Sequence, residues 1–220
     1  MASETRPEVH QWVQVDAATH YDPITYLNPQ RMASIGYQFR LLHQHFPEAA
    51  VLEVGVGAGL TTHLLRQLGH RVETIDVDDK LEPDIVGSIT DIPAEDEAYH
   101  AFLCCQVLEH LPWDDLENAL SELARVVTAG GVISVPSNKP TWLLLKHDSI
   151  SSGTRRITLG ARRNKPMKVT DGQHYWELES NRTTEDFRKK IRAVGLRIEY
   201  EIQPVENMYH QFFVVRKEKG

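Results

Sequence analysis

Three alternating glycines carry the strongest chemical signal in this 220-residue sequence. Gly55, Gly57 and Gly59 follow an apolar run that contains Glu53, and a helix-like segment begins directly after them. Glycines at this spacing let the backbone turn sharply and approach a ligand closely, because no side chain intervenes. Asp76 follows about 20 residues later, where nucleotide-binding folds place a carboxylate that holds ribose hydroxyls. The pattern predicts a nucleoside-containing cofactor.

Histidines and a carboxylate that could move a proton lie further along the chain. His110 follows a predicted strand, and residues 174–177 read His-Tyr-Trp-Glu. Histidine and glutamate in such positions are candidates for general bases. We expect His174 to be the first choice of base and His110 the second, with Glu177 as the orienting partner or the alternative. A structural hydrogen bond is the competing role for His174, and a capping or supporting role competes for His110.

Aromatic residues predict the wall of a substrate pocket near these groups. Tyr175 and Trp176 stand between His174 and Glu177, and His210 lies in the turn before the last strand. Tyr21 and Tyr26 either cap the same cleft or only pack against it. Metal sites need three or four converging ligands, and no spacing in the sequence predicts one.

The composition is typical of one globular domain. Hydrophobic residues make up 41% of the chain and charged residues 25%. The apolar runs are too short to cross a bilayer, and residues 1–10 do not resemble a signal peptide. Cys104 and Cys105 are adjacent in an apolar run, which is typical of reduced core cysteines. We therefore expect a cytoplasmic protein with no membrane partner.

Apolar periodicity predicts strands that alternate with helices. An amphipathic helix is expected over residues 29–46. The later helices are predicted over residues 61–68 and 113–128 and from Thr183 onward, and the strands over residues 50–54, 71–77, 101–107, 132–135, 197–203 and 211–216. Strands that alternate with helices indicate a mostly parallel sheet covered on both faces. Residues 1–46 are expected to form an arm and a helix that cap the cleft of the domain at 47–220.

A basic, irregular segment interrupts this alternation at about 137–175. Between Lys139 and Lys168, eight basic residues stand against the single acid Asp148, although the whole chain carries a net charge of −7. An acidic chain with one basic segment disfavours general nucleic-acid binding. The segment is predicted to be an inserted lid or substrate loop that leaves room for an anionic acceptor. A solvated loop, or one that binds the acidic body, is the alternative.

The glycine register separates two kinds of nucleoside cofactor. The dinucleotide pattern Gly-x-Gly-x-x-Gly needs glycine where Leu60 stands, whereas here the third glycine comes earlier, at Gly59. With Glu53 the run reads acid-x-Gly-x-Gly-x-Gly and resembles the class I S-adenosylmethionine-dependent methyltransferases, in a type 11-like subgroup. The segments 87–93 and 105–111 and the pair Gly130-Gly131 extend this resemblance over about residues 50–140.

The resemblance implies a Rossmann-like, seven-stranded, mostly parallel sheet whose last strand is antiparallel. S-adenosylmethionine would lie across the carboxyl ends of the first strands, with Glu53 at the methionine ammonium and Asp76 at both ribose hydroxyls. Many family members have aspartate at position 88, so Ser88 or a nearby carbonyl would receive the adenine amino group. The implied cofactor-binding residues are Glu53, Gly55, Gly57, Gly59, Asp76, Val77, Ser88, Ile89 and Gln106.

The expected function is methyl transfer to an oxygen or nitrogen atom of a small-molecule acceptor. Such a displacement needs a collinear nucleophile, and a neutral hydroxyl or protonated amine also needs a base. Two other classes stay open. One is a methyltransferase-like protein that binds the cofactor without catalysis. The other is a nicotinamide-dependent reductase, which the glycine register disfavours.

Overall fold

The computed structural model describes residues 26–139, 142–148, 155–161 and 174–218. Tyr21 and the rest of the predicted arm before residue 26 lie outside the described residues, as does much of the basic segment. The helices are α1 (Pro29–His45), α2 (Leu60–Gln67), α3 (Leu116–Val126) and α4 (Thr184–Ala193). The strands are β1 (Ala50–Val54), β2 (Arg71–Asp76), β3 (Ile85–Val86), β4 (Tyr99–Cys105), β5 (Val127–Pro136), β6 (Trp142–Asp148), β7 (Arg155–Ala161), β8 (Leu196–Ile202) and β9 (His210–Lys217).

Seven of these strands form the central sheet, in the order β3-β2-β1-β4-β5-β9-β8. Strand β9 runs antiparallel to both of its neighbours, whereas the other pairs are parallel. The central strands β1 and β5 are buried almost throughout, as expected where helices cover both faces of a sheet. The structure confirms the predicted fold class.

Two apolar clusters form the core, one on each face of the sheet. Leu120 of α3 and Phe187 of α4 belong to the first, and Leu42 of α1 and Leu65 of α2 belong to the second. Local capping helps to set the helix ends. The Asn28 side chain accepts a hydrogen bond from the backbone N–H of Arg31 at 2.9 Å, just before Pro29 begins α1. None of the described helices has the length and apolar character needed to cross a bilayer.

Strand β5 begins earlier than its sequence predicts. Gly130-Gly131 lies inside the strand, although the sequence predicts a strand only over residues 132–135. A Cβ atom on Gly130 would lie 2.0 Å from the carbonyl oxygen of Val215, and one on Gly131 would lie 2.4 Å from that of Phe102. Glycine is therefore needed where β5 packs tightly between β4 and β9.

The basic segment contains regular structure where the sequence indicated an irregular loop. Strands β6 and β7 pair antiparallel, from Trp142 opposite Ala161 to Asp148 opposite Arg155, and form a separate two-stranded sheet. The segment therefore departs from the predicted irregular loop, since its apolar run at 142–145 can pair as a strand.

Candidate functional site

A cavity of about 330 Å³ opens at the carboxyl ends of β1, β2 and β4. Its volume lies within the range of about 300–1,000 Å³ that is typical of small-ligand sites. The carboxyl ends of parallel strands meet at one edge of the sheet, so residues far apart in sequence line the same space. Helix α1 adds Arg31, Ile35 and Gln38 to the lining.

The glycine loop gives a ligand access to the backbone. The N–H of Gly55 donates to the carbonyl oxygen of Ile75 at 2.9 Å, and a Cβ atom on Gly55 would lie 2.5 Å from Cγ2 of Val107. Gly55 and Gly57 line the cavity. Gly59 instead occupies the N-cap of α2 and is not among the lining residues, which corrects its expected place against the ligand.

The Asp76 carboxylate is held rigidly at the cavity wall. One oxygen accepts a hydrogen bond from the N–H of Val56 at 2.9 Å, and the other accepts one from the N–H of Asp78 at 3.0 Å. Burial raises the pKa of Asp76, and these N–H groups oppose that rise. A carboxylate oxygen has two lone pairs, so each oxygen can accept one more hydrogen bond. Asp76 therefore fits a pair of neighbouring hydroxyls, such as those of a ribose.

Glu53 is a buried carboxylate on the same wall, with only 3% of its surface exposed. The Thr62 hydroxyl donates to it at 2.5 Å. Burial raises the pKa of Glu53 to about 7. A cationic group in the cavity would favour the ionised carboxylate, so Glu53 fits a ligand ammonium.

Replacing Glu53 by glutamine is expected to stabilise the protein at pH 8 more than at pH 5. The folded state keeps a proton on Glu53 up to about pH 7, whereas the unfolded chain releases it near the model-peptide value of 4.5. The free energy of unfolding of the wild type therefore falls by about 2 kcal/mol as the pH rises from the unfolded-state pKa to the folded-state pKa of Glu53. Urea unfolding of the wild type and Glu53→Gln at both pH values measures the effect.

The exposed Glu117 gives a matched control for this prediction, because its side chain is 58% exposed. We expect Glu117→Gln to change the free energy of unfolding by less than about 1 kcal/mol, because contacts of exposed charges contribute little to stability. The prediction fails if Glu53→Gln shifts the stability equally at pH 5 and pH 8.

Four further predicted cofactor residues line the cavity: Val77, Ser88, Ile89 and Gln106. The Ser88 hydroxyl shares a hydrogen bond with that of Thr90 at 2.8 Å. Gln106 lies just past β4 with φ of 58°, a backbone conformation that non-glycine residues rarely adopt and that is common at functional sites. Its Nε2 donates to the Ser134 hydroxyl at 3.3 Å, which fixes the side chain at the wall.

Glu109, His110 and His174 line another part of the same cavity, and we refer to them as the ionisable cluster. One potential ligand atom of each lies within 4.8 Å of the others, and the two imidazole rings are 5.0 Å apart between centroids. Burial raises the pKa of Glu109 to about 7, and the nearby His174 opposes that rise. No spacing in the sequence predicted this cluster, which forms because folding joins segments that are distant in the chain.

Backbone hydrogen bonds bring His174 to this position. The N–H of Tyr175 donates to the carbonyl oxygen of Glu109 at 2.9 Å. Two residues beyond Trp176, the N–H of Leu178 donates to the carbonyl oxygen of Pro136 at 3.0 Å, and the carbonyl oxygen of Leu178 accepts from the N–H of Asn138 at 2.8 Å. The segment that follows the basic insertion is thus attached to the end of β5.

Trp176 is a core residue, so its prediction as a pocket wall is wrong. Its side chain is fully buried and its Nε1 donates to the carbonyl oxygen of Leu111 at 3.1 Å. Its ring packs against Trp113 at 5.0 Å and Phe187 at 5.6 Å between centroids. The neighbouring Tyr175 is 42% exposed and is also absent from the cavity lining. Trp176 anchors the segment rather than contacting a ligand.

Glu177 orients His174. Nδ1 of His174 lies 3.0 Å from a carboxylate oxygen of Glu177, and the Tyr209 hydroxyl and the Asn138 amide also donate to that carboxylate. Burial opposes ionisation of both partners. Their mutual hydrogen bond and the neighbouring charges and hydrogen-bond donors together outweigh burial, so the pKa of His174 is raised and that of Glu177 is lowered. Glu177 is not a lining residue, so the geometry favours its orienting role over its alternative as the base.

His210, Arg31 and Tyr26 complete the wall near the ionisable cluster. His210 is buried and hydrogen-bonded to Ser34; burial, with the charges of Arg31 and His174, lowers its pKa to about 3. The Arg31 guanidinium lies 4.6 Å from the centre of the Tyr26 ring. The sequence did not predict Glu109, Arg31 and Tyr209 as site residues, although all three line the cavity. Only Glu109 lies within a motif that the sequence indicated, at 105–111.

Comparison with known proteins gives sequence matches over part of the chain. Residues 52–135 match the family model described as a methyltransferase domain. The ubiquinone biosynthesis O-methyltransferase of Burkholderia pseudomallei (strain 1710b) is 28% identical over 137 residues, which cover 56% of this chain and 55% of that protein. The chain thus spans about half the length of the curated relatives it matches.

Solved structures match over nearly the whole chain at low identity. The 1,6-didemethyltoxoflavin-N1-methyltransferase of Burkholderia thailandensis, with 1,6-didemethyltoxoflavin and S-adenosylhomocysteine bound, is 17% identical with a TM-score of 0.63 and covers 100% of this chain and 94% of its own. The N-methyltransferase NodS of Bradyrhizobium japonicum WM9, in complex with S-adenosylhomocysteine, is 13% identical with a TM-score of 0.65 and coverage of 97% and 100%. These likenesses concern the fold.

Proposed function

Because this chain belongs to the class I S-adenosylmethionine-dependent methyltransferases, whose cofactor is S-adenosylmethionine, we propose that it methylates an oxygen or nitrogen atom of a small molecule. One observation carries the proposal. A single cavity is lined both by Glu53 and Asp76, which suit the cofactor, and by the ionisable cluster, which suits an acceptor. Binding without catalysis would leave the ionisable cluster unused, so the geometry favours an enzyme over a cofactor-binding partner.

The cofactor supplies an electrophilic methyl group on a positively charged sulfur. In the proposed arrangement, Asp76 accepts hydrogen bonds from both ribose hydroxyls and Glu53 pairs with the methionine ammonium. Gly55 and Gly57 let the ligand lie against the backbone. Val77, Ser88 and Ile89 border the adenosine part of the cofactor, and Gln106 borders the methionyl part. Gly59 contributes by starting α2 in the conformation that the loop needs.

His174 is the proposed general base. Glu177 is a carboxylate that can only accept a hydrogen bond, so Nδ1 of His174 carries the proton and Nε2 is left to receive one. This pairing fixes the tautomer and the ring orientation, as a general base requires. His110 is the second choice, because it lines the same part of the cavity.

The acceptor is proposed to be small and to tolerate an anionic group. Arg31 lines the cavity, and its planar guanidinium suits paired hydrogen bonds with a carboxylate or phosphate. The basic segment at about 137–175 would act as a lid over such a group, while residues 1–46, with Tyr21 and Tyr26, cap the cleft. The net charge of −7 supports a small molecule over nucleic acid.

A cytoplasmic location is also proposed. Both Cys104 and Cys105 are free thiols, as expected in a reducing compartment.

Replacing Asp76 by alanine is expected to weaken S-adenosylhomocysteine binding by about 10- to 100-fold, because hydrogen bonds to a charged group contribute about 1.5–3 kcal/mol. Isothermal titration with S-adenosylhomocysteine measures this change. The control Asp79→Ala removes an exposed carboxylate near the cavity that is absent from its lining. Equal affinity of Asp76→Ala and the wild type would contradict the cofactor site, and preferential binding of NAD by the wild type would indicate a reductase instead.

A further inference from the structure

The carboxylate of Glu109 is buried without a hydrogen-bond partner on another described residue. The residue has no exposed surface, and neither carboxylate oxygen accepts a hydrogen bond from any other residue that the structure describes. Burying a carboxylate without a partner carries a large cost in free energy, so such groups are normally paired or coordinated to a metal ion. Glu109 also borders the cavity, so a small rotation of its side chain would bring the carboxylate to the cavity surface.

Two imidazoles face this carboxylate. The rings of His110 and His174 are 5.0 Å apart between centroids with an interplanar angle of 74°, and one potential ligand atom of each lies within 4.8 Å of the other and of a Glu109 oxygen. Ligands at about 2.0–2.1 Å from a tetrahedral ion lie about 3.4 Å from one another. Small side-chain rotations would close the remaining distance.

The surroundings of His174 match those of a metal-binding histidine. A ligating histidine usually donates its other ring N–H to a carboxylate, which fixes its orientation. Here Nδ1 of His174 is engaged by Glu177, which also receives hydrogen bonds from Tyr209 and Asn138. This arrangement leaves Nε2 of His174 for an ion.

We propose that Glu109, His110 and His174 bind one divalent first-row transition-metal ion, such as Zn²⁺, Mn²⁺ or Co²⁺, in the acceptor part of the cavity. Two imidazoles and one carboxylate are borderline donors that suit these ions better than Mg²⁺ or Ca²⁺, which prefer oxygen ligands alone. Three protein ligands leave coordination positions open to a small molecule, as in catalytic metal sites.

The ion would explain how the acceptor is activated. This catalytic role rests on the proposed methyltransferase function. A coordinated acceptor hydroxyl loses its proton more readily, so the proton passes to water and His174 serves as a ligand in place of a base. A lone pair of the acceptor oxygen then forms the bond to the methyl carbon, and the carbon–sulfur bond breaks with its electron pair left on sulfur. The products are a methyl ether, neutral S-adenosylhomocysteine and one released proton. The site thus favours an oxygen acceptor over a nitrogen acceptor.

Titration with Co²⁺ tests the site without any acceptor. The tag-free, full-length protein is stripped with a chelator and titrated with Co²⁺ while visible absorption is recorded, and Zn²⁺ is then added as a competitor. We expect one equivalent to bind and at least tenfold weaker binding in Glu109→Gln and in His174→Ala. His43→Ala is the matched control, because His43 pairs with His70 at 3.1 Å and neither lines the cavity.

Three outcomes would overturn all or part of the proposal. No stoichiometric Co²⁺ binding by the wild type would remove the site, and so would equal binding by the wild type and both cluster variants. S-adenosylhomocysteine titration of each variant reports whether it folds, and His110→Ala replaces any variant that does not. Unchanged methyl transfer after chelation would remove the catalytic role alone. A wild-type protein that does not bind S-adenosylhomocysteine would instead contradict the proposed function. Co²⁺ binding could still be measured in that protein, so the two failures are distinguishable.

Discussion

Replacing His174 by alanine is expected to lower kcat by about 10²- to 10⁴-fold, the usual contribution of a positioned proton-transfer group. The loss follows whether His174 takes the acceptor proton itself or holds an ion that activates the acceptor, because its ring nitrogen faces the same cavity in both cases. Methyl transfer is measured as S-adenosylhomocysteine release over a panel of small phenols, carboxylic acids and amines.

Cofactor binding separates this effect from a general loss of structure. Because the proposed cofactor contacts come from Asp76 and Glu53, S-adenosylhomocysteine affinity should stay within about threefold of the wild type. Replacing Glu177 by glutamine should produce a smaller loss of kcat, since the amide can still accept from Nδ1 of His174 while the charge is removed. Full turnover by His174→Ala on the same acceptor would exclude both roles.

Replacing Trp176 by alanine is expected to lower the free energy of unfolding by about 3–5 kcal/mol, the usual cost of removing a buried aromatic side chain. The fully buried ring packs between Trp113 and Phe187, so its removal leaves a cavity in the main core. The same ring holds the segment that carries His174 and Glu177. Urea unfolding followed by circular dichroism measures the stability change.

The variant Trp176→Phe is the matched comparison, because it keeps an aromatic ring but loses the hydrogen bond to the carbonyl oxygen of Leu111. Its expected cost is about 1–2 kcal/mol, from the lost bond and the smaller volume. Tyr175→Ala should change stability by less than about 0.5–1 kcal/mol, since that side chain is 42% exposed. A Trp176→Ala protein as stable as Tyr175→Ala would show that the ring does not anchor the segment.

The part of the cavity lined by the glycine loop and Asp76 was predictable because its residues are close together in the chain. The acidic and glycine residues of the loop lie within one strand–turn–helix unit, and Asp76 ends the adjacent parallel strand, which pairs with β1 in register from Ala50 opposite Arg71. The carboxyl ends of parallel strands meet at this edge of the sheet, so spacing indicated the glycine loop and Asp76. The lining residues Val77, Ser88, Ile89 and Gln106 were indicated by the family resemblance. The exception is Gly59, whose spacing fits a ligand contact although the backbone uses it as a helix cap.

The pair Gly130-Gly131 shows where local rules fail inside the fold. Two glycines in succession are typical of a turn, yet here they lie within β5, because the neighbouring strands leave no room for a Cβ atom. That restriction comes from atoms of Val215 and Phe102, which no window of sequence around residue 130 contains. Contacts with residues distant in sequence also explain why Trp176 was wrongly predicted as a pocket wall. Its neighbours in the chain are polar or exposed, but its ring packs into the main core.

The sequence by itself determined the fold class and the alternation of strands and helices, because these depend on periodicity, and its resemblance to a known family indicated the residues expected to hold the cofactor. Only the tertiary structure decided which residues join the ionisable cluster in the cavity. Glu109 and His110 come from the end of β4, His174 from a segment attached to β5, and His210 from the start of β9. Their convergence depends on sheet pairing and on the burial of Trp176, and neither is encoded in the distance between residues along the chain.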